Sequence, residues 1–320
     1  MSENIIEEVY LEDVKELYQQ LSPFGKYSHL LRNFIFRGEA SAKYKLIPSA
    51  LREQNKSKLY SFGGIDKPVD NQDEWEQWQQ HAEWSAIRKF FILADEGGIV
   101  VPDVPFFRED ILNSLAIPHF RFDSTHNWLP NELLEIAGLA QHYGVPTRFI
   151  DWSSSHNISL YFAAVGAMKK NNISDDYMVL WALNYRYIEN KRLTEHEMPL
   201  RLIKPTYNRN PNLLAQKGIL SCWEYNCHLG VDALYNFAND GSAILVDRTP
   251  LDELLEKNIL ERGIPLDNEG PLMYKFYIPS SQCHTLYKSL VELNFGADSL
   301  FPGLNGVVQR MEDDTYFNKK

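Results

Sequence analysis

The sequence predicts an α+β fold in a single large domain, with a central mixed or antiparallel sheet flanked by helices. Short apolar runs such as 34–36 and 273–278 have the length and composition of strands, and the segment 74–94 carries a wide apolar face at helical spacing. These segments follow one another without the regular strand–helix–strand spacing of a parallel α/β sheet, which favours the α+β class.

The N-terminal third combines helices and strands. Apolar residues at helical spacing over 14–21 predict a helix. Residues 34–36 predict a buried strand, and 44–47 predict a second, shorter one. The polar segment 54–73, with its glycine pair, predicts a mobile loop. The long helix over 74–94 follows, and Gly-Gly ends it.

The rest of the chain continues the alternation. Residues 99–128 contain three prolines and predict irregular structure. A helix opens at Pro130 and stops at Gly144, because proline favours a first helical turn and glycine a helix end. A strand is predicted over 147–152, and a helix around 158–165. Further strands are predicted at 177–183, 243–246 and 273–278, and further helices at 250–259 and 281–293.

Composition narrows the class of protein. Of 320 residues, 44% are hydrophobic and 13% aromatic, enough for a sizeable core. The formal net charge of −11 argues against non-specific binding of nucleic acid or of anionic membranes, because phosphates repel an acidic chain. The three cysteines suit a reducing, cytoplasmic setting. No signal peptide and no membrane span is expected, since no run reaches about 18 apolar residues.

The sequence lacks the motifs that are typical of several common enzyme classes and of metal sites. Cys222, Cys227 and His228 lie close together, but their spacing fits no common zinc pattern, so no metal site is predicted. The sequence has no Gly-rich phosphate loop, no dinucleotide fingerprint, no Gly-x-Ser-x-Gly elbow and no His-Glu-x-x-His. Kinase, P-loop ATPase, common hydrolase and zinc-protease functions are therefore disfavoured.

The polar segment 140–152 (AQHYGVPTRFIDW) is the first candidate site. A core is filled by apolar residues, whereas His142, Arg148 and Asp151 need partners if they lose water. His142 and Tyr143 come where a helix ends, so they either line a pocket or cap terminal carbonyls. Both alternatives stay open, and capping is the commoner role.

A second candidate is Arg37, which ends a buried strand. The planar guanidinium there binds a carboxylate or a phosphate, and Gly38 lets a ligand or another backbone approach. The alternative is a structural ion pair, for instance with Asp151. Three roles are open for the Asp151 carboxylate: a catalytic group, a cap for the next helix, or a clamp that holds Arg37 or Arg148 as an ion pair. The clamp is favoured. Arg148 then either pairs with Asp151 or faces solvent.

Two further segments carry polar residues in apolar surroundings. The serines 153–155 either contact a ligand or cap the following helix, and capping is favoured. Gln216, with Gly218 just after it, indicates a turn near a pocket or an ordinary connection.

Several of these motifs together resemble the FRG domain, a family of bacteria and phages named for its Phe/Tyr-Arg-Gly motif. The resemblance lies in 36–39 (FRGE), 46–49 (LIPS), 139–148 (LAQHYGVPTR), 151–153 (DWS), 215–218 (AQKG) and 300–306 (LFPGLNG). It implies an FRG-type domain over 30–310, after a helical lead-in over 1–29 and before a C-terminal tail over 311–320.

A weaker resemblance is to mono-ADP-ribosyltransferases, which also combine an aromatic-Arg-Gly strand with a later Ser/Thr segment. It implies that Arg37 holds NAD and that Ser153 and its neighbours shape the nicotinamide pocket. These enzymes also use a late glutamate to orient the ribose. The sequence shows no clear late Glu-x-Glu or Gln-x-Glu motif.

These resemblances imply an enzyme that acts on NAD or a related nucleotide by ADP-ribosyl transfer or NAD-consuming chemistry, as a toxin or phage-defence effector. The expected catalytic residues are Arg37, His142 and Asp151, converging in one cleft. The expected ligand-binding residues are Gly38, Glu39, Gln141, Tyr143, Thr147, Arg148, Trp152, Ser153 and Gln216. The alternative is a non-catalytic ligand- or protein-binding module with the same pocket.

Overall fold

The computed structural model describes residues 5–65, 72–109, 129, 131–170, 176–192, 198–207, 210–224, 246–266 and 270–318. The chain forms two compact units. The first, called the sheet unit, comprises Met1–Leu46, Asp151–Ser221 and Asp252–Lys320. The second, called the helical unit, comprises Ile47–Ile150 and Cys222–Leu251.

A seven-stranded mixed sheet organises the sheet unit. Its strands are β1 (Ile6–Tyr10), β2 (Phe34–Glu39), β3 (Ile150–Ser153), β4 (Tyr177–Asn184), β5 (Leu200–Ile203), β6 (Gly218–Trp223) and β7 (Met273–Pro279). Their order is β1-β7-β4-β2-β3-β6-β5. Strand β1 runs parallel to β7, whereas β7, β4, β2 and β3 pair antiparallel in sequence. The predicted α+β class, with a mixed central sheet flanked by helices, is confirmed.

One face of this sheet carries the main core. Helices α1 (Val14–Gln20) and α7 (His156–Met168) bury their apolar residues against it. The helix Cys283–Glu292, called α11, belongs to the same cluster. Fully buried members from the strands include Phe36, Leu180 and Phe276. Alternate strand residues point to opposite faces, so their neighbours Arg37, Trp181 and Lys275 share the other face.

Shorter elements complete the sheet unit. They are α2 (Leu30–Asn33), α8 (Tyr185–Arg192), α9 (Pro211–Ala215), α10 (Leu251–Arg262), α12 (Ala297–Leu300) and α13 (Leu304–Phe317). The last helix packs on α7 through a buried carboxylate: Tyr161 Oη donates to Asp313 Oδ2 at 2.5 Å, and Asp313 is fully buried. This contact fixes which face of α13 points inward.

The helical unit has its own small core. Its helices are α3 (Lys56–Gly63), α4 (Gln72–Glu96), α5 (Pro105–Glu109) and α6 (Leu134–His142), with 3₁₀ turns at Ser49–Leu51, Glu53–Asn55 and Asn131–Leu133. Small and aromatic side chains pack between α3, α4 and α6, with Leu59, Tyr60, Ala82 and Ala140 buried. One cluster of buried polar contacts adds to this core and forms part of the candidate site.

Most predicted elements are confirmed, with three errors. Residues 44–47 form no strand, because the chain turns there, as shown by the bond from Tyr44 N to Ser41 O. The predicted loop at 54–73 contains helix α3, which ends at Gly63 and is followed by Gly64 with φ of +70°. Part of the irregular segment 99–128 forms α5. Residues 110–128 lie outside the described residues. Of the predicted strand 243–246, only Val246 belongs to the described residues.

Candidate functional site

Arg37 is held in one orientation by two contacts inside the sheet unit. Its Nε donates to Glu39 Oε1 at 2.7 Å, and its Nη1 donates to the main-chain oxygen of Asp151 at 2.8 Å. The Arg37 and Glu39 side chains are 17% and 9% exposed, respectively. Among the described residues, none accepts a hydrogen bond from Nη2 of Arg37. The Nη2 group of the guanidinium therefore has no acceptor in the described part of the chain.

The positive charge of Arg37 is stabilised by its surroundings. Burial disfavours the charged form of Arg37, but the nearby carboxylates of Glu39 and Asp151 outweigh it, and the pKa of the guanidinium lies above its ordinary value. Arginine is in any case always protonated in proteins. Glu39 uses one oxygen, Oε1, for Arg37, and no described residue donates to its Oε2. The pair thus offers a donor and an acceptor side by side.

The neighbours of Arg37 on this sheet face are an indole and a second cation. Trp181 of β4 lies directly opposite Arg37, and Lys275 of β7 lies directly opposite Trp181. The Lys275 Nζ is 4.8 Å from the centre of the Trp181 ring, a cation–π contact. Trp181 is 2% exposed, and its buried Nε1 has no acceptor among the described residues. The face beside Arg37 is rich in donors.

Gly38 serves helix packing. A Cβ at this position would lie 1.8 Å from the carbonyl oxygen of Ser159 in α7, far inside van der Waals contact. The hydroxyl of Ser159 in turn donates to the carbonyl oxygen of Phe36 at 2.9 Å. Of the two roles left open for this glycine, the structure therefore shows the close approach of another backbone.

Hydrogen bonds connect the end of β3 to the turn before β6. Ser153 Oγ donates to the carbonyl oxygen of Gln216 at 2.8 Å and accepts from the Ser155 amide at 3.1 Å. Gln216 Nε2 reaches the carbonyl oxygen of Leu300 at 3.3 Å. Trp152 Nε1 donates to Ser221 Oγ at 2.8 Å. Each of these three predicted site residues therefore has a protein partner for at least one polar side-chain atom.

One titratable residue near this segment was missed by sequence reasoning. His156 begins α7, and its ring lies 5.7 Å from that of Phe36 in an edge-to-face arrangement. Burial lowers the pKa of His156 to about 4, so its ring is neutral at pH 7. Its position directly after three serines is the one sequence signal that points to it.

In the helical unit, Arg148 forms a buried ion pair. Its Nε donates to Glu83 Oε2 at 2.7 Å, and the two side chains are 2% and 1% exposed. Gln79 Nε2 donates to the other oxygen of Glu83 at 2.8 Å and to the carbonyl oxygen of Ala50 at 2.9 Å. The expectation that Arg148 faces solvent is wrong, because a carboxylate of α4 compensates its charge inside the core.

Thr147 and Gln141 belong to the same network. The Thr147 hydroxyl donates to the Gln141 side-chain oxygen and accepts from the Phe149 amide at 3.2 Å. The Thr147 amide donates to Ser49 Oγ at 3.0 Å, and Ser49 Oγ donates back to the Thr147 carbonyl at 3.1 Å. The hydrogen bonds of the polar residues in 141–148 thus hold the chain that follows α6 in place.

His142 and Tyr143 lie at the end of α6. Tyr143 is 67% exposed, and its ring stacks on that of Phe90 with centroids 6.4 Å apart. The His142 ring meets it edge-on at 5.3 Å. Gly144 follows with φ of +89°, the left-handed conformation that glycine adopts at helix ends. Tyr143 is therefore an exposed aromatic surface.

The predicted site residues are thus distributed over both units. Arg37, Gly38, Glu39, Asp151, Trp152, Ser153 and Gln216 lie in the sheet unit, and Gln141, His142, Tyr143, Thr147 and Arg148 lie in the helical unit. Arg37 contacts Asp151 through the main-chain oxygen of that residue, and the clamp by the Asp151 carboxylate stays a prediction. The convergence of His142 with them stays a prediction.

Neither a metal site nor a membrane-spanning helix is found where the structure describes the chain. No group of three or more His, Cys, Asp or Glu residues there is arranged to hold a metal ion. Cys222 is buried, and its Sγ donates to the main-chain oxygen of Trp223 at 3.4 Å, whereas Cys227 and His228 lie outside the described residues. No helix in the described ranges is long and apolar enough to cross a membrane.

The fold and the site define an α+β protein with a mixed sheet. On that sheet two hydrogen bonds hold Arg37 in place, while its Nη2 has no acceptor among the described residues. The family model of the FRG domain matches residues 104–172, which confirms that resemblance for this part of the chain. The match includes α6, β3 and α7 and the segment 140–152. No curated protein and no solved structure gives a match, so the ADP-ribosyltransferase resemblance has no support from comparison.

Proposed function

We propose that the sheet unit binds a nucleotide, with NAD as the first candidate, through Arg37 and Glu39. The observation that carries this proposal is the geometry of Arg37. Two hydrogen bonds fix its guanidinium, while Nη2 has no acceptor among the described residues. A fixed donor with an unused Nη2 group is suited to bind an anionic oxygen without first losing conformational freedom.

Phosphate is the anion that fits this donor best. The Nη2 group of Arg37 can donate a charge-assisted hydrogen bond to phosphate, and such a bond is roughly twice as strong as a neutral one. The side chain is 17% exposed, so little hydration has to be removed on binding. Lys275, which lies two strands away on the same face, adds positive potential.

Glu39 narrows the ligand to one that also carries hydroxyl groups. Its Oε2 accepts from no described residue, and a ribose hydroxyl is a suitable donor for it. Because Glu39 neutralises part of the charge of Arg37, inorganic phosphate alone gains less here than a ligand with both an anionic oxygen and a hydroxyl. Nucleotides offer both groups a few ångströms apart.

The chemistry proposed for such a site is ADP-ribosyl transfer or another cleavage of the NAD glycosidic bond. That reaction develops positive charge on the ribose, and a nearby carboxylate stabilises it. Glu39 is suited to this role, and Arg37, His142 and Asp151 remain the predicted catalytic residues. A role as an effector in conflict between bacteria and phages is part of this proposal.

The second candidate is a module that binds the ligand without changing it. It is favoured by the number of motif residues that already have protein partners, among them Arg148, Trp152, Ser153 and Gln216. Such residues hold the fold together, and ligand binding then rests on Arg37 and Glu39 alone.

Calorimetric titration with NAD tests the binding step. The Arg37→Lys variant keeps a cation beside Glu39 but loses the fork, and a lost charge-assisted bond of about 1.5–3 kcal/mol weakens binding about 10- to 100-fold. Arg32→Ala is the matched control, because Arg32 is exposed in α2 of the same unit. No heat from folded wild type, or equal affinity for Arg37→Lys and wild type, would refute the proposal.

Release of nicotinamide separates the two candidates. An enzyme releases it over time, and Glu39→Gln then slows the reaction more than it weakens NAD binding, because the carboxylate acts mainly in the transition state. A binding module releases none, although NAD binds and Arg37→Lys weakens that binding.

A further inference from the structure

The last helix carries an apolar stripe on its outer face. In α13, Leu304 is 83% exposed, Val307 48%, Val308 54% and Met311 65%. Their spacing of three, four and seven residues places all four on one side of the helix. Water therefore meets a continuous row of apolar side chains over two helical turns, and such a surface marks an interaction site.

The fold holds this stripe outward. On the inner side, Asp313 is fully buried and accepts from Tyr161 Oη at 2.5 Å and from Gln309 Nε2 at 2.9 Å. At the start of the helix, a Cβ on Gly306 would lie 1.9 Å from the carbonyl oxygen of Phe301. The helix cannot rotate to bury its stripe without breaking these contacts, so cover must come from another surface.

The charges along α13 indicate which surface. Gly303 caps its N-terminus without a side-chain bond, and no acidic residue lies in the first turn, so the positive end of the helix dipole is uncompensated there. Near the other end, Glu312 is exposed directly beside Met311. An antiparallel copy of the same helix would bring this carboxylate to the bare N-terminus.

We propose that α13 pairs antiparallel with α13 of a second copy of the chain around a two-fold axis. In this arrangement Leu304 packs on Met311 of the second copy, and Val307 on its Val308. Such an interface is self-complementary, as a two-fold contact requires. The proposal is independent of ligand binding at Arg37.

The helix length limits the strength of this dimer. Fourteen residues span about 21 Å, so the paired surface is smaller than that of a permanent complex. We therefore expect a reversible dimer with a dissociation constant on the order of 10 µM.

Sedimentation velocity between about 1 and 200 µM tests the pairing. Wild type should shift from monomer to dimer across this range, and Val308→Glu should weaken the dimer at least 10-fold, because two carboxylates meet at the axis. Leu260→Glu is the matched control, since Leu260 is 69% exposed in α10 of the same unit. A wild type that stays monomeric, because a different partner covers the stripe, or a Val308→Glu variant that dimerises like wild type, overturns the proposal.

A substitution that strengthens the dimer gives a sharper test. Asn305 is exposed and lies seven residues before Glu312, on the same flank of the helix. Antiparallel pairing places it near Glu312 of the second copy, so Asn305→Lys should tighten the dimer several-fold. The gain should disappear in Asn305→Lys/Glu312→Lys. A gain that persists in the double variant would contradict this geometry.

Discussion

Replacing Glu83 by glutamine should destabilise the helical unit strongly. Glu83 accepts from Arg148 Nε at 2.7 Å and from Gln79 Nε2 at 2.8 Å, and it is 1% exposed. Glutamine has nearly the same shape, so packing is kept. Its amide NH₂ replaces the oxygen that faces Arg148 or Gln79, so a donor then faces a donor and the buried guanidinium loses its compensating charge.

The expected loss follows from burial of both partners. Removing one member of a buried ion pair typically costs about 3–5 kcal/mol, because the remaining charge is left in a medium of low polarity. An exposed pair would cost about 1 kcal/mol or less. Arg148 is 2% exposed, which places this pair in the first class. We therefore expect Glu83→Gln to lower the free energy of unfolding by about 3–5 kcal/mol.

Urea unfolding followed by circular dichroism measures this loss. Glu96→Gln is the matched control on the same helix, since Glu96 is exposed, and its effect should stay within about 0.5 kcal/mol. The double variant Glu83→Leu/Arg148→Met removes both charges and should recover much of the stability. A loss below about 1 kcal/mol for Glu83→Gln would show that the pair does not hold the unit together.

Three further predictions concern the sheet unit. Gly38→Ala should lower the free energy of unfolding by about 1–3 kcal/mol or more, because the new Cβ meets the carbonyl of Ser159 at 1.8 Å; urea unfolding would measure this, and an unchanged midpoint would contradict it. Tyr161→Phe should cost about 1.5–3 kcal/mol, because the buried carboxylate of Asp313 loses a donor; thermal and urea unfolding measure it, and a neutral effect would show that other donors suffice. Burial lowers the pKa of His156 to about 4 in the folded chain, against about 6.5 when unfolded. Between these values the unfolded chain binds more protons, so the stability contribution is complete above about pH 6.5 and is lost as the pH falls, by up to about 1.4 kcal/mol per pH unit. His156→Gln should flatten this slope in urea titrations at pH 7 and 5, and equal slopes in both proteins would exclude the effect.

Elements with a complete local pattern were predictable from the sequence. The helix over 74–94 and the strand at 273–278 have apolar periodicity and clear ends, and α4 and β7 lie there. Helix α3 was missed, because it buries only a few residues, such as Leu59 and Tyr60, in a polar segment that has the composition of a loop. Strand β1 was missed because Glu7 and Glu8 interrupt its apolar pattern; its pairing with β7 holds it.

At the candidate site, the sequence indicated which residues are unusual but not what they contact. Both arginines stand beside apolar residues. Arg37 was expected to bind a ligand or to form an ion pair, and Arg148 to pair with Asp151 or to face solvent. Their carboxylates, Glu39 and Glu83, lie 2 and 65 residues away in sequence. The sequence does not show that Arg37 keeps an Nη2 group without an acceptor among the described residues, whereas Arg148 is buried with its partner. That difference arises on folding, because helix α4 supplies Glu83 from a distant segment.

The most direct test of the central claim is to observe the guanidinium of Arg37 during titration with NAD. Nitrogen-15 NMR of labelled arginine side chains resolves individual Nη and Nε signals, and the Arg37 signal is assigned by its loss in Arg37→Lys. We predict that saturating NAD shifts this signal and slows rotation of its Nη groups, while the exposed Arg32 is unaffected. An Arg37 signal that stays unchanged at millimolar NAD, in protein whose spectrum is that of the folded chain, would contradict the account.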